Sequence, residues 1–329
     1  MQSLSILRAV GAASLLALTS CQTQEQLRLP QGYSSEFSTR DLVLVCSFDN
    51  EIPEAGLPEV AADLSTFLQA ELGRINRFTV YCLWGDGTYR LARELDAQNL
   101  ISVPEVEEPT RVDLYLNATV TATHGANIVP SGNRAFSYLV DAAVQLQSSE
   151  RIQLWARNFE GARVRRTSIL DTGGEWIGGH NPDSNDDVMH ALKESSRVLL
   201  NRVVTQLGYE YPVTGAVTGA SGGRVAFDRG AKHGVMGEVR IVVWDKQPGG
   251  IDVPLGDGPA VAAHDRTSFE VERWYTKDPA AAATIEALHA DPTWISTHPG
   301  RLFATTYGLG TPPEWDEASR QAERMKKYE

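Results

Sequence analysis

The chain reads as an α/β sandwich followed by a small all-β, barrel-like domain with a mixed carboxy-terminal extension, and three observations predict this. An apolar run, an amphipathic segment and a second apolar run open the fold between residues 41 and 83. Period-two alternation of apolar and polar side chains then dominates through residue 159. From Pro212 to Tyr275 short apolar stretches are punctuated by glycine, the pattern of a barrel or sandwich.

The run Asp41-Leu-Val-Leu-Val-Cys-Ser-Phe48 suits a strand buried on both faces of a sheet. Leu57, Val60, Ala61, Leu64, Phe67, Leu68 and Leu72 recur at intervals of three and four, with Pro58 near the start, and predict a helix. After Gly73, Phe78-Thr-Val-Tyr-Cys-Leu83 resumes as a strand, which completes a βαβ unit with parallel strands. A weaker helix rests on Tyr89, Leu91, Ala92 and Leu95, and an acidic linker covers residues 105–109. Residues 112–120, 136–146 and 152–159 alternate and read as antiparallel strands with one wet face. A helix over 187–207, lined by Val188, Leu192, Leu199, Val203 and Leu207, closes the domain spanning 41–208. Asp186 and Asp187 suit its positive end and Gly208 its termination.

Strands are expected at 213–217, 224–228, 239–244 and 269–274, within a β domain of residues 209–275. The extension, 276–329, offers a helix at 280–290, a strand at 302–306 and a charged, solvated helix at 315–328.

The first 21 residues carry a different message. Arg8 precedes an apolar run from Ala9 to Leu18 that is too short to span a bilayer, so it reads as a cleaved signal. Leu18-Thr19-Ser20-Cys21 resembles the bacterial lipobox, which implies that Cys21 is lipidated and palmitate-bearing in the mature protein; an ordinary secretory signal with a chance cysteine is the alternative. Gln22, where inner-membrane lipoproteins usually carry Asp, implies outer-membrane sorting. Residues 22–40 form a polar tether that reaches at most about 65 Å.

A formal net charge of −12 disfavours nucleic acid and anionic lipid as direct partners, so attachment falls to the acyl chains. Besides Cys21 the chain holds Cys46 and Cys82, both in expected strands; a disulfide between them and burial as reduced thiols are both open.

Catalytic signals are sparse. Gly219-Ala220-Ser221-Gly222-Gly223 fits the G-x-S-x-G nucleophile elbow, but a strand follows where the elbow needs a helix, so a hairpin turn is expected. Asp183, Asn185, Asp187 and Glu194 are spaced like calcium-loop ligands, yet Val188 stands where that loop needs glycine, which favours an acidic helix cap. The histidines show no metal-ligand spacing, and Arg163, Arg165 and Arg166 read as a solvated strand end. Phosphate-binding glycine loops are missing from the sequence. No catalytic residue, cofactor or metal is therefore expected.

Residues 41–50 (Asp-Leu-Val-Leu-Val-Cys-Ser-Phe-Asp-Asn), the helix containing Leu68 and Leu72, and Gly73-Arg-Ile-Asn-Arg-Phe-Thr-Val80 resemble the opening of the CsgG-type curli-secretion lipoproteins and of the TolB amino-terminal domain. Ser47 stands where that family's first strand carries proline. Phe136-Ser-Tyr-Leu-Val-Asp-Ala-Ala-Val-Gln-Leu146 with Ile152-Gln-Leu-Trp-Ala156 is similar to LpoB-type activators of penicillin-binding proteins. Gly230-Ala-Lys-His-Gly234-Val-Met-Gly237 resembles a turn in barrel domains appended to such proteins, including the flagellar T protein. The resemblance implies an outer-membrane lipoprotein facing the periplasm, with other envelope proteins as partners and a homo-oligomeric ring as one assembly. A membrane pore needs hairpins of roughly 20 alternating residues. The connector at 124–132 is too short for one, and 161–185 lacks the alternation. An assembly or adaptor role is the expectation, with activation of a peptidoglycan synthase and a serine hydrolase using Ser221 as alternatives.

Overall fold

The computed structural model describes residues 37, 39–51, 58–82, 100–101, 110–128, 134–168, 185–236, 238–291 and 293–326. The expected signal, most of the tether, the weak helix and the acidic linker lie outside them.

The βαβ opening forms as β1 (Leu42–Glu51), α1 (Pro58–Gly73) and β2 (Phe78–Cys82), with β1 and β2 parallel. Leu42, Leu44 and Cys46 of β1 meet Leu64, Leu68 and Leu72 of α1 in the main core. Val45 points the other way into a small cluster with Val112 and Tyr115, so the start of β1 is buried on both faces. A two-residue ladder joins β3 (Leu100–Ile101) to β4 (Thr110–Arg111). Then come β5 (Leu114–Ile128), β6 (Arg134–Ser148), β7 (Gln153–Glu160), β8 (Val164–Ser168) and α2 (Asn185–Glu210). The six-stranded sheet runs β2-β1-β5-β6-β7, with β8 also on β6. Strands β5, β6 and β7 are antiparallel as expected, and β5 is also parallel to β1, so it is the seam between the two halves of the sheet.

Two helix expectations also change. Helix α2 runs through Gly208 to Glu210. At Gly208 a Cβ would lie 2.4 Å from the Leu309 backbone nitrogen, so that glycine serves a close chain crossing rather than a stop. The last helix, α5 (Pro313–Lys326), is anchored by a fully buried Trp315 rather than solvated all round.

Of the second unit, β9 (Thr214–Ser221), β10 (Arg224–Phe227), β11 (Val239–Gln247), β12 (Ile251–Ala262), β13 (Thr267–Glu270) and β14 (Arg273–Trp274) precede helices α3 (Pro279–Ala290) and α4 (Trp294–Thr297). Strand β15 (Leu302–Tyr307) then inserts between β11 and β9. Because β11 also pairs with β12, six strands close in the order β11-β15-β9-β10-β13-β12. Residues 276–329 are therefore no appendix: β15 completes the barrel whose other strands precede residue 275. Val225, Phe227, Ile241, Val243, Leu255, Phe269 and Ala304 fill its interior.

Candidate functional site

Three polar constructions and one concavity are the places where chemistry could reside. The first lies at the junction of the two units. Arg77, just ahead of β2, is 1% exposed, and every hydrogen bond it donates goes to a backbone carbonyl. Its Nε reaches Tyr211 at 3.1 Å and its terminal nitrogens reach Pro212 (3.4 Å), Arg40 and Phe37. Burial pulls this guanidinium down to about 10, since no carboxylate pairs with it directly. Gly234, at φ 88°, ends the 3-10 turn Ala231–His233 and packs its backbone against Arg77, where a Cβ would come within 2.7 Å. The turn at 230–236 is thus the barrel's side of the junction. Around it Asn76 donates to Ala231 (3.1 Å), Arg229 to Thr39 (3.1 Å), and Arg40 clamps Asp113 through two bonds of 2.7 and 2.8 Å. On another face of α1, the indole of Trp315 donates to Glu71 at 2.6 Å and Arg74 bridges to Glu314. This chemistry binds segments, not ligands.

The second and third constructions are buried aspartates in the barrel wall. Asp257 of β12 accepts from Arg240, Arg273 (3.1 Å) and the Tyr275 hydroxyl (2.6 Å). Burial alone would raise its pKa, but those three donors outweigh it and hold the carboxyl below the usual range. Asp245 of β11 takes a bidentate pair from Arg301 at 2.7 and 3.0 Å and a bond from Thr284 at 2.6 Å. Both carboxylates are saturated by the barrel's own donors, which leaves neither as a general base.

The concavity lies between α3 and the β9–β10 hairpin. Two adjoining hollows of 480 and 370 Å³ share Trp274 and His289, whose rings meet edge to face at 5.2 Å. Ile285, Leu288 and Ala282 give it an apolar floor, while Ser221 and Glu286 stand on its rim. Ser221 ends β9 opposite Arg224 of β10, and Gly222 and Gly223 at φ 58° and 84° make the two-residue turn. The strand-turn-helix of a nucleophile elbow is replaced here by strand-turn-strand. Sequence spacing did not connect Ser221 with His289; the barrel brings them to one hollow, but no hydrogen bond joins them or links His289 to Glu286.

Of the remaining candidates, Cys21 and Asp183 lie outside the described residues. Asn185, Asp187 and Glu194 all fall within α2, so the chain is helical where a calcium loop must turn. Among the described residues no group of three or more His, Cys, Asp or Glu is placed to hold a metal, and no helix is long and apolar enough to cross a membrane. Arg163 and Arg165 are exposed beside and within β8. Cys46 is fully buried and disulfide-bonded, and the parallel register sets Cys82 directly opposite it.

No family model and no curated protein matches the chain. Among solved structures it matches the hypothetical protein CT253 from Chlamydia trachomatis (12% identity, TM-score 0.29, 52% of this chain and 98% of that one). It also matches lipoprotein GNA1162 from Neisseria meningitidis (16%, 0.24, 51% and 99%) and uncharacterized lipoprotein B from Nitrosomonas europaea (12%, 0.25, 56% and 93%). At such TM-scores the fold is described from this chain's own residues.

Proposed function

We propose that this chain is a non-catalytic assembly or adaptor protein of the CsgG/TolB-amino-terminal type, lipid-anchored through Cys21 to the outer membrane and facing the periplasm. The observation that carries the reading is the Arg77 junction. It spends a buried cation on four carbonyls from the lead into β1 (37 and 40) and the linker ahead of β9 (211 and 212), while Gly234 of the barrel unit packs against the same side chain. A scaffold needs such fixed geometry; a hydrolase needs a charged relay, and the buried carboxylates are already saturated. The disulfide at Cys46, assigned here to Cys82, supports an oxidising compartment, in keeping with export.

Metabolic labelling with palmitate and envelope fractionation test the anchor. The expected result is a labelled protein in the outer-membrane fraction and an unlabelled, soluble periplasmic Cys21→Ala variant. An unlabelled wild type, or one in the cytoplasm, overturns it. A second reading, a serine hydrolase, draws on the hollow shared by Ser221 and His289. It requires that Ser221→Ala abolish function in cells, whereas the adaptor reading expects that variant to behave as wild type.

A further inference from the structure

Strand β7 is one of the two ends of the six-stranded sheet, β2 being the other. It pairs with β6, and among the described residues no strand pairs with its other side. Ahead of it the turn holds Arg151 at φ 62°, the one non-glycine residue at positive φ among those described. For an arginine that conformation is uncommon and costs energy. The surroundings enforce it: Arg151 donates its amide to Ser148 at 3.0 Å, the Ser148 hydroxyl accepts from the amides of Glu150 and Ile152, and the guanidinium lies 3.4 Å over the Tyr115 ring. A second irregularity follows at once. Gln147 faces Gln153 and Leu146 faces Trp155, so Leu154 is an extra, bulged residue. These two distortions present aliphatic side chains to water: Ile152 is 59% and Leu154 46% exposed. Beyond the bulge, Trp155 to Glu160 form a regular ladder long enough for a typical strand to join.

Charge says what fits. In a chain of net charge −12, residues 151–166 hold Arg151, Arg157, Arg163, Arg165 and Arg166 against a single acid, Glu160. Arg157 donates to the neutral amide of Gln206 and so is not neutralised there. Exposed sheet edges are commonly protected by charge. Within β7 Arg157 stands with Glu160, and the basic excess lies on the flanking turn and on β8, which continues the same side of β6; such an edge disfavours the same edge of a second copy and favours a strand of opposite charge. We infer that the β7 edge is a β-addition site for an extended, acidic polypeptide segment of another protein. Ile152 and Leu154 grip an apolar residue at one end of that segment, and Arg157 and Arg163 face its carboxylates. This rests on the adaptor reading and names the edge through which the adaptor takes its partner.

The test uses the full lipoprotein in neutral detergent and a fluorescent peptide of alternating glutamate and valine, with a lysine–valine peptide as control. Anisotropy is expected to show saturable binding of the acidic peptide only, lost at high salt. Affinity should fall by at least about tenfold in the Ile152→Asp/Leu154→Asp double variant and also in Arg157→Glu. Because these side chains are exposed, both variants should keep the wild-type unfolding midpoint. No binding, equal binding of both peptides, or affinity untouched by the variants overturns the site. Binding of anionic phosphatidylglycerol vesicles with the same dependence on Ile152 and Leu154 assigns the edge to a membrane surface instead. Palmitate labelling of Cys21 is indifferent to all these outcomes, so failure here leaves the anchoring result standing.

Discussion

The two sheets of this molecule meet the same physical problem and settle it in opposite ways. The barrel pairs β11 with β12 and so has no edge among its six closed strands. The α/β sheet keeps its two ends, β2 and β7, and the β7 end is furnished with a strained arginine, a bulge and two exposed aliphatic residues. Closure gives each barrel strand a partner on both sides over part of its length, whereas an open edge keeps backbone groups in reserve for a partner. The difference teaches where to look for recognition, and the junction at Arg77 lies between the open sheet and the closed barrel.

Breaking the junction should have the largest effect. Arg77→Met leaves the carbonyls of Phe37, Arg40, Tyr211 and Pro212 without their shared donor and should cost about 4 kcal/mol in urea unfolding. Trp315→Ala removes a fully buried indole and leaves Glu71 without that donor; a loss of about 3 kcal/mol is expected. Reduction of the disulfide should cost a similar amount, about 3 kcal/mol, and peptide mapping under non-reducing conditions should join Cys46 to Cys82. The barrel should also respond to acid in a defined sense. Because Asp257 is held below its ordinary 3.8, its contribution is complete above that value and is lost as pH falls through the lowered one. Asp257→Asn should therefore lower stability at neutral pH and flatten the acid limb of a stability-against-pH curve. The smallest effect belongs to the open edge: Arg151→Gly relieves the positive φ but forfeits the contact over Tyr115, so the unfolding free energy should change by less than about 1 kcal/mol.

Much of this architecture was legible because burial imposes period. The runs at 42–48, 78–82 and 136–146, and the helix beginning near Pro58, announced themselves by apolar spacing. Strand β12 did not, for Val253-Pro-Leu-Gly-Asp-Gly-Pro259 carries the punctuation of a loop. Its glycines answer local crowding instead: a Cβ on Gly258 would sit 2.1 Å from the Glu270 carbonyl oxygen, so only glycine fits. Trp315 was hidden for the opposite reason, since a single apolar anchor in a charged helix leaves no period to read. Arg77 gave no signal at all; one arginine in a turn looks solvated until the carbonyls of distant segments converge on it. Ser221 was correctly placed on a hairpin, while the neighbour that shares its hollow, His289, arrives from another element.

Residue-resolved amide hydrogen exchange on the full lipoprotein tests the central contrast most directly. The account requires continuous protection through β9, β11, β12 and β15, and alternating fast and slow amides along residues 156–160 of β7 in the absence of any added peptide. Uniform slow exchange along β7 would mean that the edge is already covered, by another part of this chain or by a second copy, and would contradict the contrast between an open sheet and a closed barrel.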